Sequence, residues 1–329
     1  MSNWQQELSN GFKDVHELLR FLNIPEDFGS SQSQKLFKTR VPRGFAARMQ
    51  KGYRDDPLLK QVMAIDDELI SDNDYVQDPL QESQFHPIPG LIHKYYNRVL
   101  WMLSGACAVN CRYCFRRHFP YVQHQTGRLG WQDILAYIAK HPEIDEVIFS
   151  GGDPLVASND YFAELLKALH TIPHIQHVRI HSRLPIVLPS RIESSWLALW
   201  DAYPWQKVMV VHCNHPQELD ESVVCAIAKL KQKGWTVFNQ SVILKGVNDN
   251  VEILIQLSHR LFAIGILPYY LHVLDKVEGA QHFDVPLVEI FEIYQQLQRR
   301  LSGYLLPRLA QEIPGVPHKT LLKTETNEV

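Results

Sequence analysis

From Arg98 onward the chain alternates short runs rich in β-branched and aromatic residues with longer stretches whose apolar positions recur at helical spacing. The runs predict six strands, at 99–103, 146–149, 178–181, 208–212, 236–239 and 268–273. The stretches around them predict helices near 131–140, 159–170, 191–202, 220–233, 250–264 and 286–302. After a long first interval the strand starts recur about every 30 residues, the length of one βα repeat, which predicts a parallel sheet covered by helices. Six units are too few for the usual closed barrel of eight, so an α/β fold with an open, partial (βα)6 barrel is expected. Its βα loops emerge together at the C-terminal ends of the strands, which is where a site should lie.

The chain before this pattern is more polar and broken. Val15, Leu18, Leu19 and Leu22 fall on one helical face, while Pro42, Pro57 and Pro79 divide the region into short pieces. Residues 31–35 read as a loop, and Asp56-Pro57 reads as the cap and first turn of a helix. The expected organisation is an N-terminal helical region at 1–88, packed on a core at 89–302. Pro307, Pro314, Gly315 and Pro317 make 303–329 an extended C-terminal crossing segment.

Composition narrows the function classes. Apolar residues at 45% supply a sizeable core, and 33 Lys plus Arg against 36 Asp plus Glu give a net charge of −3. No general basic surface for nucleic acid or for a membrane follows from that balance, so any anion site must be local. The charged residues Glu7, Lys13, Asp14, Glu17 and Arg20 leave the first thirty positions without the apolar stretch of a signal peptide, and no later run reaches membrane-spanning length. Cys213 and Cys225 do not suggest a disulfide framework. A cytoplasmic protein is expected.

The distinctive chemistry is Cys107-Ala108-Val109-Asn110-Cys111-Arg112-Tyr113-Cys114, three thiols at C-x3-C-x2-C spacing just after the first strand run. Thiolates are soft ligands suited to zinc or to iron in a cluster. A structural zinc site takes four protein ligands, whereas a cubane held by three cysteines keeps one iron open for chemistry. Reduced thiols, or a zinc site completed by His118 or His124, are the alternatives. With Tyr113 before the last cysteine, the motif resembles the radical S-adenosylmethionine (SAM) family, in which the open iron of a [4Fe-4S] cluster chelates SAM and the reduced cluster cleaves it to a 5′-deoxyadenosyl radical. After the second strand run, Ser150-Gly151-Gly152-Asp153 matches the family's glycine-rich segment at the SAM amino group; two glycines permit close backbone approach to a ligand. His181-Ser182-Arg183, His212 and Asn239-Gln240-Ser241 end later strands. They suit a SAM and cofactor cavity, or else bonds to neighbouring loops.

A narrower resemblance comes from Glu312-Ile313-Pro314-Gly315-Val316-Pro317-His318-Lys319-Thr320, which is similar to the segment of lysine 2,3-aminomutases whose lysine holds pyridoxal 5′-phosphate (PLP) as a Schiff base. Pro89-Gly90-Leu91-Ile92-His93-Lys94-Tyr95-Tyr96-Asn97-Arg98 resembles the segment that meets the PLP phosphate, through Lys94, Tyr95 and Arg98. Two cations and a phenol suit a phosphate dianion. By the same resemblance Arg116, with Arg117 as a second candidate, binds the substrate carboxylate, while Asp275 and Glu312 face its distal ammonium. The implied reaction is 2,3-amino migration converting L-lysine to (R)-β-lysine, with [4Fe-4S], SAM and PLP as cofactors and an electron-donating reductant as partner. Segments 110–120, 181–185 and 268–276 look most like the branch acting in elongation factor P β-lysylation, which implies a functional link to that factor and its ligase, and leaves homo-oligomer formation open. An aminomutase for another amino acid and a non-catalytic iron–sulfur module are the other readings.

Overall fold

The computed structural model describes residues 3–121, 127–128 and 130–323. One nine-stranded sheet organises them, with spatial order equal to chain order. Its strands are β1 (Leu91–Tyr95), β2 (Arg98–Ser104), β3 (Glu146–Gly151), β4 (His177–Ser182), β5 (Gln206–His212), β6 (Thr236–Val242), β7 (Leu267–His272), β8 (Arg308–Gln311) and β9 (Thr320–Leu321). The strands from β2 through β8 run parallel, while β1 and β9 close the two edges as antiparallel neighbours of β2 and β8. The six expected strands are β2 to β7, joined by helices that include Trp131–Lys140, Asn159–Leu169, Glu221–Gln232 and Val251–Ala263.

The structure departs from expectation in four places. Residues 89–98 form a hairpin, with β1 folding back on β2 through Tyr95 opposite Arg98. The crossing segment is in part strand, because β8 adds a seventh parallel member and the turn at Pro314-Gly315 returns the chain as β9. Residues 31–35 are helical rather than a loop: Ser31–Leu36 is capped by the Ser30 hydroxyl accepting from Ser33 N–H, and Ser33 buries its own hydroxyl against the Ile65 carbonyl at 2.7 Å. Polar anchoring replaces the apolar stripe. Of the single helix expected at 191–202 only Ser194–Ala198 is α-helical, preceded by a short helix at Leu184–Val187 and a 3-10 turn at Pro189–Arg191.

Packing makes the N-terminal layer part of the barrel. Trp4, Phe12, Leu18, Phe45 and Leu58 join Val99, Trp101, Val147 and Phe149 in one buried cluster. Each such side chain removed from water contributes about 1.5–3 kcal/mol. Asp56 accepts from the Leu58 and Leu59 N–H groups, the cap and proline turn expected there. Polar contacts fix the layer over one face: Arg48 pairs with Asp220 at 2.7 Å, and Glu68 pairs with the buried Arg112 of the cysteine segment at 2.5 Å.

Candidate active site

A cavity of about 770 Å³ lies at the C-terminal ends of the strands. Its lining unites residues far apart in sequence: Cys107, Cys111, Cys114, Arg116, His212, Gln240, Asp275, Glu312 and Lys319 all face it.

The cysteine segment is pinned from two sides. Asn110 N–H donates to the Arg40 carbonyl at 3.0 Å, Arg40 returns a bond to the Cys107 carbonyl at 2.8 Å, and Arg112 N–H reaches the Gln61 carbonyl at 2.9 Å. From the other side, Gly152 N–H donates to Ser104 O and Asp153 N–H to Ala106 O, at 2.6 and 2.8 Å. A Cβ on Gly151, whose φ is +120°, would stand 2.4 Å from Ser104 O, and one on Gly152 would stand 2.6 Å from Ala106 O. The two glycines therefore let the strand end approach the cysteine segment's own backbone. Asp153 is likewise turned to protein, accepting from Leu155 N–H at 3.0 Å, the Ser182 hydroxyl at 2.7 Å and Arg183 N–H at 2.8 Å. Burial raises its carboxyl to about 6 against those bonds.

Burial and the neighbouring thiols push Cys107 well above the usual thiol range and Cys114 up to about 11. Metal loading is what would compensate the charge of thiolates placed there. Among the described residues no three His, Cys, Asp or Glu side chains stand close enough to hold a single ion. Cysteines that each ligate a different iron of one cluster need not. His118 turns to the Glu278 carbonyl at 3.1 Å, and His124 lies outside the described residues.

At the other end of the cavity three donors converge on one carboxylate. Glu312 accepts from Lys319 Nζ at 2.7 Å, from the Tyr95 hydroxyl at 2.9 Å and from Lys94 Nζ at 3.2 Å. Burial opposes its charge, but the two ammonium groups and the phenol outweigh that and hold the carboxyl at about 2. Burial and Glu312 push the Tyr95 hydroxyl up, which keeps it a donor. Arg98 lies 4.1 Å over the Tyr95 ring. This donor set, now gripping a carboxylate, suits a phosphate with an amine beside it.

Glu312 thus faces Lys319 instead of opening toward a distal ammonium. By contrast, none of the hydrogen bonds or ion pairs of the described residues ends on the Asp275 carboxylate, which lines the same cavity. Burial raises it to about 7, with Lys319 opposing and Glu312 and Glu82 adding. Burial and nearby cations also lower His181, His212 and His272, so these imidazoles are neutral near pH 7, His212 having fallen to about 4. His181 Nε2 and Gln240 Nε2 are buried without a hydrogen-bond partner among the described residues, and both residues line the cavity. Orphaned polar atoms there fit a polar ligand.

Arg116 is buried, and its Nε and Nη2 grip Glu82 at 2.7 and 2.6 Å, leaving Nη1 with only long contacts to Ser150 Oγ and Gly151 O at 3.4 and 3.5 Å. Arg117 is committed elsewhere, to Glu68 at 2.6 Å and the Gly279 carbonyl at 2.8 Å. Glu82 carries no signal in the sequence because no spacing ties it to the cysteines; the same holds for Gln61 and Glu218, which bond to the cavity-lining Arg183 from behind.

An open parallel α/β barrel with a three-cysteine segment at its mouth defines a radical SAM enzyme. A family model described as a 4Fe-4S single cluster domain matches residues 96–178. The chain is 51% identical to an L-lysine 2,3-aminomutase of Haemophilus influenzae, covering 97% of this chain and 95% of that one. It is 49% identical to the Escherichia coli K12 protein of that name, over 99% and 96%, and 32% identical to that of Clostridium subterminale, over 97% and 77%. The chain belongs to the L-lysine 2,3-aminomutase family. Its cofactors are accordingly a [4Fe-4S] cluster, SAM and PLP. Among solved structures, a radical SAM methyltransferase from Sphaerobacter thermophilus is similar with a TM-score of 0.47 and 15% identity over 67% of this chain and 68% of that one, a likeness too distant to carry an assignment.

Proposed function

We propose that this protein isomerises L-lysine to (R)-β-lysine, with Cys107, Cys111 and Cys114 holding the cluster and Lys319 holding PLP. The observation that carries this reading is that one cavity joins the three cysteines to Lys319 and its ring of phosphate-type donors. Membership of the aminomutase family supports the substrate.

When bound, the cluster and SAM supply a hydrogen-abstracting radical, and PLP supplies the π-system across which nitrogen moves. This chain's residues place the reacting atoms. Arg116 presents Nη1 to the substrate α-carboxylate, and a planar guanidinium held by Glu82 fixes the orientation of that end. Asp275 receives the distal ammonium, and the ion pair draws its raised carboxyl into the charged form. Lys94, Tyr95 and Arg98 hold the phosphate. A phosphate on those donors would compete with Glu312 for them, and Glu312, so released, would be available to the substrate ammonium. Ser150, Gly151, Gly152, Asp153, His212 and Gln240 shape the SAM side. Phe37, Leu80, Phe85 and Val109 line the cavity and keep water and oxygen from the radical.

We place the enzyme in the cytoplasm, supplied by a reductant and delivering β-lysine to a ligase acting on elongation factor P; no helix among the described residues is long and apolar enough to cross a membrane. The test is anaerobic: reconstituted protein with dithionite, SAM, PLP and L-lysine, followed by chromatography for β-lysine and 5′-deoxyadenosine. Both products are expected. Deoxyadenosine without β-lysine overturns the substrate, and neither product overturns the cluster assignment.

A further inference from the structure

Arg183 follows the last residue of β4, and its backbone N–H is tied to Asp153 at 2.8 Å. Its side chain runs into the protein, only 6% of the residue being exposed, and its two terminal nitrogens have different partners. Nη2 donates to Gln61 Oε1 at 2.7 Å and to Glu218 Oε2 at 3.0 Å. Nη1 donates to Cys111 Sγ at 2.7 Å. The guanidinium is further confined by the rings of Phe45 and Tyr113, at 5.5 and 5.7 Å.

Glu218 is itself fully buried and saturated, its Oε1 accepting from the Asn214 and His215 N–H groups at 2.9 and 3.0 Å and from Gln61 Nε2 at 3.2 Å. It is held as a fixed carboxylate behind the arginine. A buried ion pair is a weak stabiliser compared with well-packed apolar side chains, so a fold that keeps one at this place needs another use for the charge. Cys111 supplies that use. Among the described residues neither Cys107 nor Cys114 has a guanidinium on its sulfur; Arg40 reaches Cys107 only at the carbonyl. The charged donor therefore acts on one corner of the three-cysteine site.

We propose that Arg183, held in place by Glu218 and Gln61, is a positioning residue that tunes the iron–sulfur cluster through Cys111, raising its reduction potential. Adding an electron to a cluster already ligated by three thiolates increases negative charge in a largely desolvated place. A cationic N–H directed at one ligand sulfur lowers that cost, and hydrogen bonds to sulfur are among the protein's principal means of setting such potentials. SAM cleavage needs the reduced cluster, so the arginine bears on how readily any donor can start the reaction. The inference rests on the assignment of Cys107, Cys111 and Cys114 as cluster ligands.

The test uses full-length protein with its cluster reconstituted, without SAM, PLP or lysine, in an anaerobic redox titration followed by electron paramagnetic resonance. Three proteins are compared: wild type, Arg183→Lys, and Arg183→Gln combined with Glu218→Gln so that no buried carboxylate is left unpaired. Iron and sulfide content are measured for each. Equal loading is expected in all three. At a fixed potential the ratio of reduced to oxidised cluster should fall about tenfold in the double variant, about 59 mV for one electron, and less in Arg183→Lys, which keeps the charge. An unchanged ratio in the double variant overturns the proposal, as does loss of iron from both variants alike, which would make the arginine a support for the cysteine segment. A wild-type protein that binds no cluster defeats the ligand assignment itself, a separate result.

Discussion

At the scale of single residues, Lys319 and Asp275 carry the most chemistry for their size. Lys319→Ala is expected to lose the visible absorbance of PLP bound to a lysine, while the far-ultraviolet circular dichroism stays as in the wild type; an unchanged absorbance would place the cofactor's anchor elsewhere. Asp275 has a direction in pH. Burial holds its carboxyl up at about 7, so below that value it is neutral and offers no charge to an ammonium. The apparent KM for lysine should therefore rise as pH falls from 7.5 to 6, by several-fold, and the slope should vanish in Asp275→Asn together with discrimination against norleucine. A slope that persists in the variant would assign the titration to another group. The sequence made both residues legible only through the resemblance of their segments to those of the aminomutases. It hid Glu82, Gln61 and Glu218, since a carboxylate or amide that completes an arginine's partners carries no local signature, and it hid the direction in which Glu312 points.

At the scale of elements, periodicity revealed β2 to β7 because each strand is buried on a sheet with helices over it, and such burial writes apolar runs into the chain. β1, β8 and β9 escaped for the opposite reason. They are edge or near-edge strands, short, and interrupted by the site residues Lys94, Tyr95 and Glu312 around them. Ser31–Leu36 escaped because its helix is secured by hydroxyl and amide bonds rather than by an apolar face. At the junction between β3 and the cysteine segment the two backbones approach closely. Ala at Gly152 would push a methyl to within 2.6 Å of the Ala106 carbonyl, a backbone atom that cannot step aside alone. Gly152→Ala should cost about 1–3 kcal/mol and lower iron loading by moving the segment that bears Cys107. Thermal unfolding and iron content check both, and wild-type values in each would show that the segment has slack.

At the scale of the whole molecule, the strand order equals the chain order, so β1 and the β8–β9 end lie farthest apart in the pairing of the sheet, and yet side chains from the two ends bond to each other. Lys94 and Tyr95 sit on β1 while Glu312 follows β8 and Lys319 precedes β9, and the first two and Lys319 all bond to Glu312. These contacts join the two margins of the sheet, where no strand pairing does so among the described residues. PLP is expected to take over this junction, and a ligand that binds only the folded form adds RT ln(1 + [L]/Kd) to its stability. Hydrogen exchange should then slow together in β1 and in β8–β9 when PLP is added, with the central strands β4 and β5 unaffected; slowing at one margin alone would deny the link. The cofactor would act as a buckle on a belt. An enzyme that has lost PLP would be a looser hoop as well as an inactive one, and its exposure to proteases would record how much vitamin B6 the cell had to spare.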